Sequence, residues 1–316
     1  MIIFQSITLL LAGFILLIKG ADFFVDGSSA VAKRLKVPSL IIGLTIVAMG
    51  TSLPELSVSI TASMANSNAL AVSNVIGSNI FNLMVVLGAS VMMSSIDVDD
   101  GVIKKDFPFT ITCAALLLIF GCCGMALGRA DGLILLTVFA IFLLCKVMSA
   151  LSARKAALAE AGNDEDDGVS LWRAIAYIVA GAVAVRFGGD WVVSGAKNLA
   201  AFCGLSENLI GLTIVATGTS LPELVTSVVA ARKHELDMAV GNVIGSNVFN
   251  ILMILGAAST LSPVAFNAEN VMDIGALIAF SLLVWGFCVV RKRLDKQNGL
   301  FMLALYSVYV VYICLR

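Results

Sequence analysis

One phrase occurs twice in this chain, and the spacing of its copies limits what the chain can fold into. GLTIVAMGTSLPEL from Gly43 to Leu56 returns as GLTIVATGTSLPEL from Gly211 to Leu224. NVIGSNIFN from Asn74 to Asn82 returns as NVIGSNVFN from Asn242 to Asn250, at the same offset of 168 residues. At that offset 27 of the 46 positions from Gly43 to Gly88 are identical, more than shared apolarity produces. The chain is two copies of one unit. In each copy a glutamate, Glu55 or Glu223, directly follows a proline inside an apolar run, where a charge is costly unless it serves a purpose. The combination points to an ion site.

The runs around the phrase are those of a bilayer protein: 59% of residues are hydrophobic and 13% charged, against about 45–50% and about 25% in soluble domains. A span needs about 20 mostly apolar residues. On that rule ten are expected, at residues 3–31, 38–64, 70–94, 106–127, 131–151, 171–199, 207–231, 237–260, 272–290 and 298–315. The predicted fold class is an all-α polytopic membrane protein of ten transmembrane helices. It divides into a first five-helix repeat (1–151), a linker (152–170) and a second repeat (171–316). The linker is the most hydrophilic stretch, with Arg154, Lys155, Glu160, Asp164, Glu165, Asp166 and Asp167. No basic patch suggests nucleic acid, and no basic region precedes the first span to suggest a cleavable signal.

Lys and Arg orient the spans through their cytoplasmic bias. Basic residues follow the first span (Lys33, Arg34, Lys36), the third (Lys104, Lys105), the seventh (Arg232, Lys233) and the ninth (Arg291, Lys292, Arg293, Lys296). Arg154, Lys155 and Arg173 flank the linker. Both termini are thus expected outside and the linker in the cytoplasm. The second and seventh spans are an odd number apart, so the two phrases cross in opposite directions. The repeat is inverted, with broken helices 2 and 7, an arrangement of secondary transporters that alternate access around a midplane site.

The repeated residues are chemically uniform. Pro54 and Pro222 lack an N–H and free the carbonyls of Gly50 and Gly218. Thr51, Glu55 and Ser59 fall on one helical face, copied by Thr219, Glu223 and Ser227. Asn74, Ser78 and Asn82 have the same spacing, copied by Asn242, Ser246 and Asn250. All offer hard oxygen donors, which suit calcium or sodium, whereas zinc or copper would ask for His or Cys. Two carboxylates balance one calcium ion, so competition between calcium and sodium at one site is natural.

GTSLPEL and GSNIFN, duplicated on inverted segments of a ten-span chain, closely resemble the repeats of sodium/calcium exchangers in the cation/calcium exchanger superfamily. The chain is similar to the minimal prokaryotic type, because it lacks the large regulatory insert of animal exchangers. The resemblance implies that Glu55 and Glu223 are the central ligands of calcium and sodium. It implies ligand roles for Thr51, Ser52, Ser78, Asn82, Thr219, Ser220, Ser246 and Asn250, and for the backbone carbonyls of Ala48 and Ala216. It implies antiport by alternating access, sodium entering and calcium leaving, with the first and sixth spans sliding across the core. Asparagine at both Asn82 and Asn250 resembles the potassium-independent pattern. The expected partners are Ca2+, Na+ and the lipid bilayer of an inner or plasma membrane, with no cofactor, and the expected state is a monomer.

Other readings compete at single positions. Ser59, Ser227, Asn74 and Asn242 fit interhelical hydrogen bonding as well as ligation. Asn79 and Asn247 point off the proposed faces and are assigned to structure. Asp22 and Asp190 match at the same offset, and each has a basic neighbour on its own helix, Lys19 or Arg186, at pairing distance. Asp26, matched by Ser194, is placed near the surface. Asn163, Glu165, Asp167 and Gly168 imitate the start of a calcium-binding loop, but Ala174 stands where its bidentate glutamate belongs, so a solvated tether is expected. The seven cysteines show no metal spacing or disulfide framework and are expected to be buried small hydrophobes. The sole histidine, His234, lies in a basic loop, and no serine has a base partner, which argues against an enzyme. Two rivals remain: calcium/proton exchange on the same glutamates, and a passive cation channel.

Overall fold

The computed structural model describes residues 2–64, 68–160, 170–203 and 216–315. Among them eight helices are long and apolar enough to cross a membrane, and a bent pair makes a ninth crossing. The first crossing is α1 (Ile2–Leu35). The second is α2 (Ser39–Thr51), bent by 45° against α3 (Leu53–Met64). The third runs through α4 (Asn68–Phe81), a π-helical turn at Asn82–Val86, and α5 (Leu87–Met93). Then come α6 (Val102–Cys122), α7 (Arg129–Glu160) and α8 (Leu171–Phe202). After α9 (Ala216–Gly218) and α10 (Leu221–Arg232), α11 (Leu236–Phe249) leads through a π-helical turn at Asn250–Ile254 into α12 (Leu255–Leu261). Helices α13 (Ala268–Arg291) and α14 (Lys296–Leu315) complete the fold.

The duplication reaches the bounds of the elements. Shifting α3, α4 and α5 by 168 residues gives the limits of α10, α11 and α12, and the π turns that follow α4 and α11 begin at Asn82 and Asn250. Of the two-residue strands, one pair follows the shift and the other misses it by a residue. β1 (Ile96–Asp97) pairs antiparallel with β4 (Arg293–Leu294), and β2 (Ala126–Leu127) with β3 (Val264–Ala265), so each ladder ties one copy to the other. Beside the first ladder Lys292 and Lys104 hold the exposed Asp100 carboxyl down to about 2.

The expected tether starts later than composition suggests. Residues 152–160 continue α7, because SARKAALAE is rich in good helix formers and lacks a breaker. Residues 161–169, with the imitation calcium loop, lie outside the described residues, as do 204–215, which hold the start of the second phrase. A second correction concerns the cysteines. Only Cys113 and Cys288 are buried, whereas Cys122, Cys123, Cys145, Cys203 and Cys314 lie on the surface.

Burial sorts the helices into an inner set and an outer set. Every residue of α11 from Met238 to Phe249 is buried. By contrast α1, α7 and α14 present rows of exposed large apolar side chains such as Phe4, Leu11, Leu144, Met148, Val308 and Leu315, as lipid-facing helices do. One ion pair, Lys146 with Asp106, nonetheless lies largely buried between α7 and α6, and Lys146 also lies over the Phe142 ring.

Helices α1 and α8 form their own antiparallel layer, joined by glycine. Gly13, Gly20 and Gly27 recur every seven residues, as do Gly181, Gly188 and Gly195; Gly13 meets Gly188 and Gly20 meets Gly181, while Gly27 and Gly195 meet the backbones of Ala174 and Ser6. A methyl on Gly188 would sit 2.6 Å from the Leu17 nitrogen, one on Gly20 2.8 Å from the Val185 nitrogen, and one on Gly195 2.7 Å from the Ser6 carbonyl. Backbone packs on backbone, which only glycine permits, as in small-residue membrane interfaces. The pair is tied to the core at one end: Lys233, just past α10, reaches Asp26 at 2.8 Å and Asp22 at 3.3 Å, and Glu235 accepts from Ser29.

Candidate ion-binding site

The bend in the second crossing falls at Ser52, two residues before Pro54. Its backbone (φ −84°, ψ 12°) leaves the helical region, and Ser220 does the same (φ −93°, ψ 6°) before Pro222. Proline explains both breaks. It can occupy the first turn of α3 or α10, where no donor is needed, but cannot continue α2 or α9 with full hydrogen bonding. Each break turns a serine hydroxyl and, one turn on, a glutamate into the protein interior. Glu55 and Glu223 are both fully buried.

The two copies exchange hydrogen bonds. Ser52 Oγ donates to Glu223 Oε1 at 2.7 Å, and Ser220 Oγ donates to Glu55 Oε1 at 3.2 Å. The second oxygen of each carboxylate has no protein partner. Neither do Ser78 Oγ, both amide atoms of Asn82, Asn250 Oδ1 and Thr219 Oγ1. So many orphaned buried polar atoms on the repeated segments are unusual, because each costs about 1–3 kcal/mol when left unpaired. An oxygen-coordinated cation fits their chemistry: they are carboxylate, hydroxyl and amide groups of the repeated segments, with no sulfur or imidazole among them. Among the described residues no group of three or more His, Cys, Asp or Glu could hold a metal, so the two glutamates supply all the negative charge.

The remaining expected ligands are placed as follows. Thr51, Ser52, Ser78, Asn82, Ser220, Ser246 and Asn250 are buried, and Thr219 is half-buried. The Ala48 carbonyl accepts from Thr51 at 3.3 Å and from Ser246 at 3.5 Å, which places it between the copies. Ala216 opens α9. Asn79 and Asn247 lie between the copies: each donates its Nδ2 to the other's main-chain carbonyl, at 3.1 and 3.2 Å. The internal pairs of Lys19 with Asp22 and of Arg186 with Asp190 both form. Asp26 is near the surface as expected, but its bond to Lys233 was not legible, because it joins residues 207 apart that no repeat relates.

Symmetry in sequence is not matched by symmetry in hydrogen bonding. Thr51 Oγ1 reaches Asn242 Oδ1 at 3.2 Å, and Asn242 Nδ2 donates to Ser227 Oγ at 2.8 Å. The equivalent atoms of the other copy, Thr219 Oγ1, Asn74 Nδ2 and Ser59 Oγ, are unpartnered. Exposure follows: Gly241, Asn242 and Gly245 are buried, while their counterparts Ser73, Asn74 and Gly77 are exposed, half-buried and exposed. The hydrogen bonds are complete around Ser227 and incomplete around Ser59, although both serines are fully buried.

The sodium/calcium exchanger protein family matches this chain over residues 5–148 and again over 173–315. The putative antiporter CaxA of Alkalimonas amylolytica is 37% identical over 306 residues, covering 95% of each chain. The sodium/calcium exchanger MaX1 of Methanosarcina acetivorans is 29% identical, covering 96% of this chain and 97% of its own. Among solved structures, the sodium-calcium exchanger NCX_Mj soaked with zero Na+ and Ca2+ superposes with a TM-score of 0.86 at 30% identity, covering 98% of this chain and 99% of that one.

Proposed function

This chain belongs to the sodium/calcium exchanger family of membrane transporters, and on that premise we propose that it exchanges Na+ for Ca2+ by alternating access. The observation that carries the proposal is the crossed pair of glutamates. Each gives one oxygen to the serine of the opposite copy and keeps the other oxygen free, deep in a bundle of apolar helices. Two carboxylates neutralise one Ca2+ or two Na+, so either load is tolerated in a medium where uncompensated charge is expensive. The ligands would be Glu55 and Glu223, assisted by Thr51, Ser52, Ser78, Asn82, Thr219, Ser220, Ser246, Asn250 and the carbonyls of Ala48 and Ala216.

The unequal copies support alternation. On the Lys/Arg pattern, Ser227 and Asn242 face the basic, cytoplasmic side and Ser59 and Asn74 the opposite one, so the side with unsatisfied hydrogen bonds is the outer one. Ten inverted spans, five to each repeat, an inner-membrane location and extracytoplasmic termini complete the reading. Purified protein in liposomes loaded with Na+ is expected to accumulate Ca2+ when the outward Na+ gradient is imposed. Glu55→Gln and Glu223→Gln should each abolish uptake, since either leaves a single negative charge facing a divalent ion. Uptake that follows a proton gradient and ignores sodium would assign the glutamates to calcium/proton exchange instead. Uptake without any counter-ion would make the protein a channel.

A further inference from the structure

Asn79 lies off the face that carries the candidate ligands, yet its hydrogen bonds determine what Asn250 can offer a cation. An amide side chain has a donor end and an acceptor end, and only the acceptor end can ligate a metal ion. Which end faces a site is settled by the network around it. Here the network has one unambiguous terminus: the main-chain carbonyl of Asn247 can only accept. It lies 3.1 Å from Asn79, so the Asn79 atom there must be Nδ2. Asn79 Oδ1 is thereby turned the other way as an acceptor. It lies 3.0 Å from Asn250, whose contacting atom must in turn be the donor Nδ2. That leaves Asn250 Oδ1 buried and without a protein partner. Three fixed choices run from a backbone carbonyl to one free oxygen.

The other copy does not complete the same relay. Asn247 Nδ2 donates to the Asn79 carbonyl at 3.2 Å, but Asn247 Oδ1 has no partner and both amide atoms of Asn82 are orphaned. Of the two symmetry-related asparagines, one is oriented and the other is free. We propose that Asn79 is a positioning residue which holds Asn250 with its carbonyl oxygen toward the cation, so that Asn250 is a preset ligand and Asn82 an adaptable one. The inference rests on Asn250 being a ligand, as under Proposed function. It assigns to Asn79 a part in ion affinity beyond joining two helices.

Equilibrium binding of radioactive calcium to the purified full-length protein tests this. Asn250→Ala should weaken the calcium Kd by about tenfold or more, the loss of one ligand. Asn79→Leu should weaken it by about 10-fold, at the lower end of what outer-sphere partners of metal ligands are worth. Because Asn79 acts through Asn250, the double variant should bind within about twofold of Asn250→Ala alone, a non-additive cycle. Asn247→Leu is the structural control: it removes the mirror-image interhelical bond, leaves the Asn247 carbonyl in place, and should lower the melting temperature as Asn79→Leu does while shifting Kd less than about twofold. Asn79→Ala replaces the leucine variant if that protein is not monodisperse. Native-like binding by the Asn79 variants, multiplicative losses in the double variant, or equal Kd shifts from Asn79→Leu and Asn247→Leu would each overturn the inference. Native-like binding by Asn250→Ala would overturn the ligand assignment itself, and this inference with it.

Discussion

Glu223 receives a hydrogen bond from Ser52, not from the serine of its own phrase, and Glu55 receives one from Ser220. Ser52→Ala therefore tests Glu223 across the copies. A hydrogen bond to a charged group contributes about 1.5–3 kcal/mol, so the variant should bind calcium roughly tenfold or more weakly. Titration calorimetry reads this directly, and unchanged affinity would detach Ser52 from the site. The candidate residues were legible from sequence because a buried carboxylate after a membrane proline is hard to explain otherwise, and duplication removed chance. The crossing of the partners was not legible. Spacing places Ser52 three residues from Glu55 on one helix but says nothing of which glutamate of two it faces. Nor did spacing reveal what Asn79 does, since its part depends on the end of an amide that a neighbour's carbonyl selects.

At the scale of elements, the breaks before Pro54 and Pro222 followed from proline's missing donor, although the bend is centred at Ser52 because the ring can be accommodated inside the following first turn. The π turns at Asn82 and Asn250 could not be foreseen, because nothing in NLMVV or NILMI departs from an ordinary helical run. The glycine seam of α1 and α8 was present in the sequence as a seven-residue spacing in both copies. Spacing alone does not give it meaning, because single glycines are common in membrane helices and only the close approach of two backbones shows what they do. Gly188→Ala places a methyl 2.6 Å from the Leu17 nitrogen. Overpacking of this kind costs about 1–3 kcal/mol, so the variant should melt earlier in detergent and transport more slowly. Gly286→Ala, whose methyl would meet no neighbour within 4 Å, should do neither. Equal behaviour of the two would show that the seam tolerates separation.

For the whole molecule, the bias of Lys and Arg toward alternate loops predicts that both termini share one side, opposite the linker. An impermeant thiol reagent applied to intact cells should label a cysteine placed beyond the C-terminal Arg316, in a background without the native surface cysteines. It should not label one placed in the linker. The reverse pattern would invert the orientation and, with it, the side on which Ser59 and Asn74 lie. Composition and span length made the membrane class legible, and the parity of the spans made the inversion legible. The staples β1–β4 and β2–β3 were not, because two residues pairing across the chain carry no periodic signal.

The seam bears finally on energy loss. Under the proposed antiport, both ends of the pathway must never open together, since even a brief through-passage would dissipate more ions than many cycles of exchange could restore. Two independently moving helices could err in that way. Backbones that touch at Gly13, Gly20, Gly27, Gly181, Gly188 and Gly195 leave α1 and α8 little freedom to part, so a displacement at one end is carried to the other. Tightness of coupling would then be set by the absence of side chains at six positions remote from any ion.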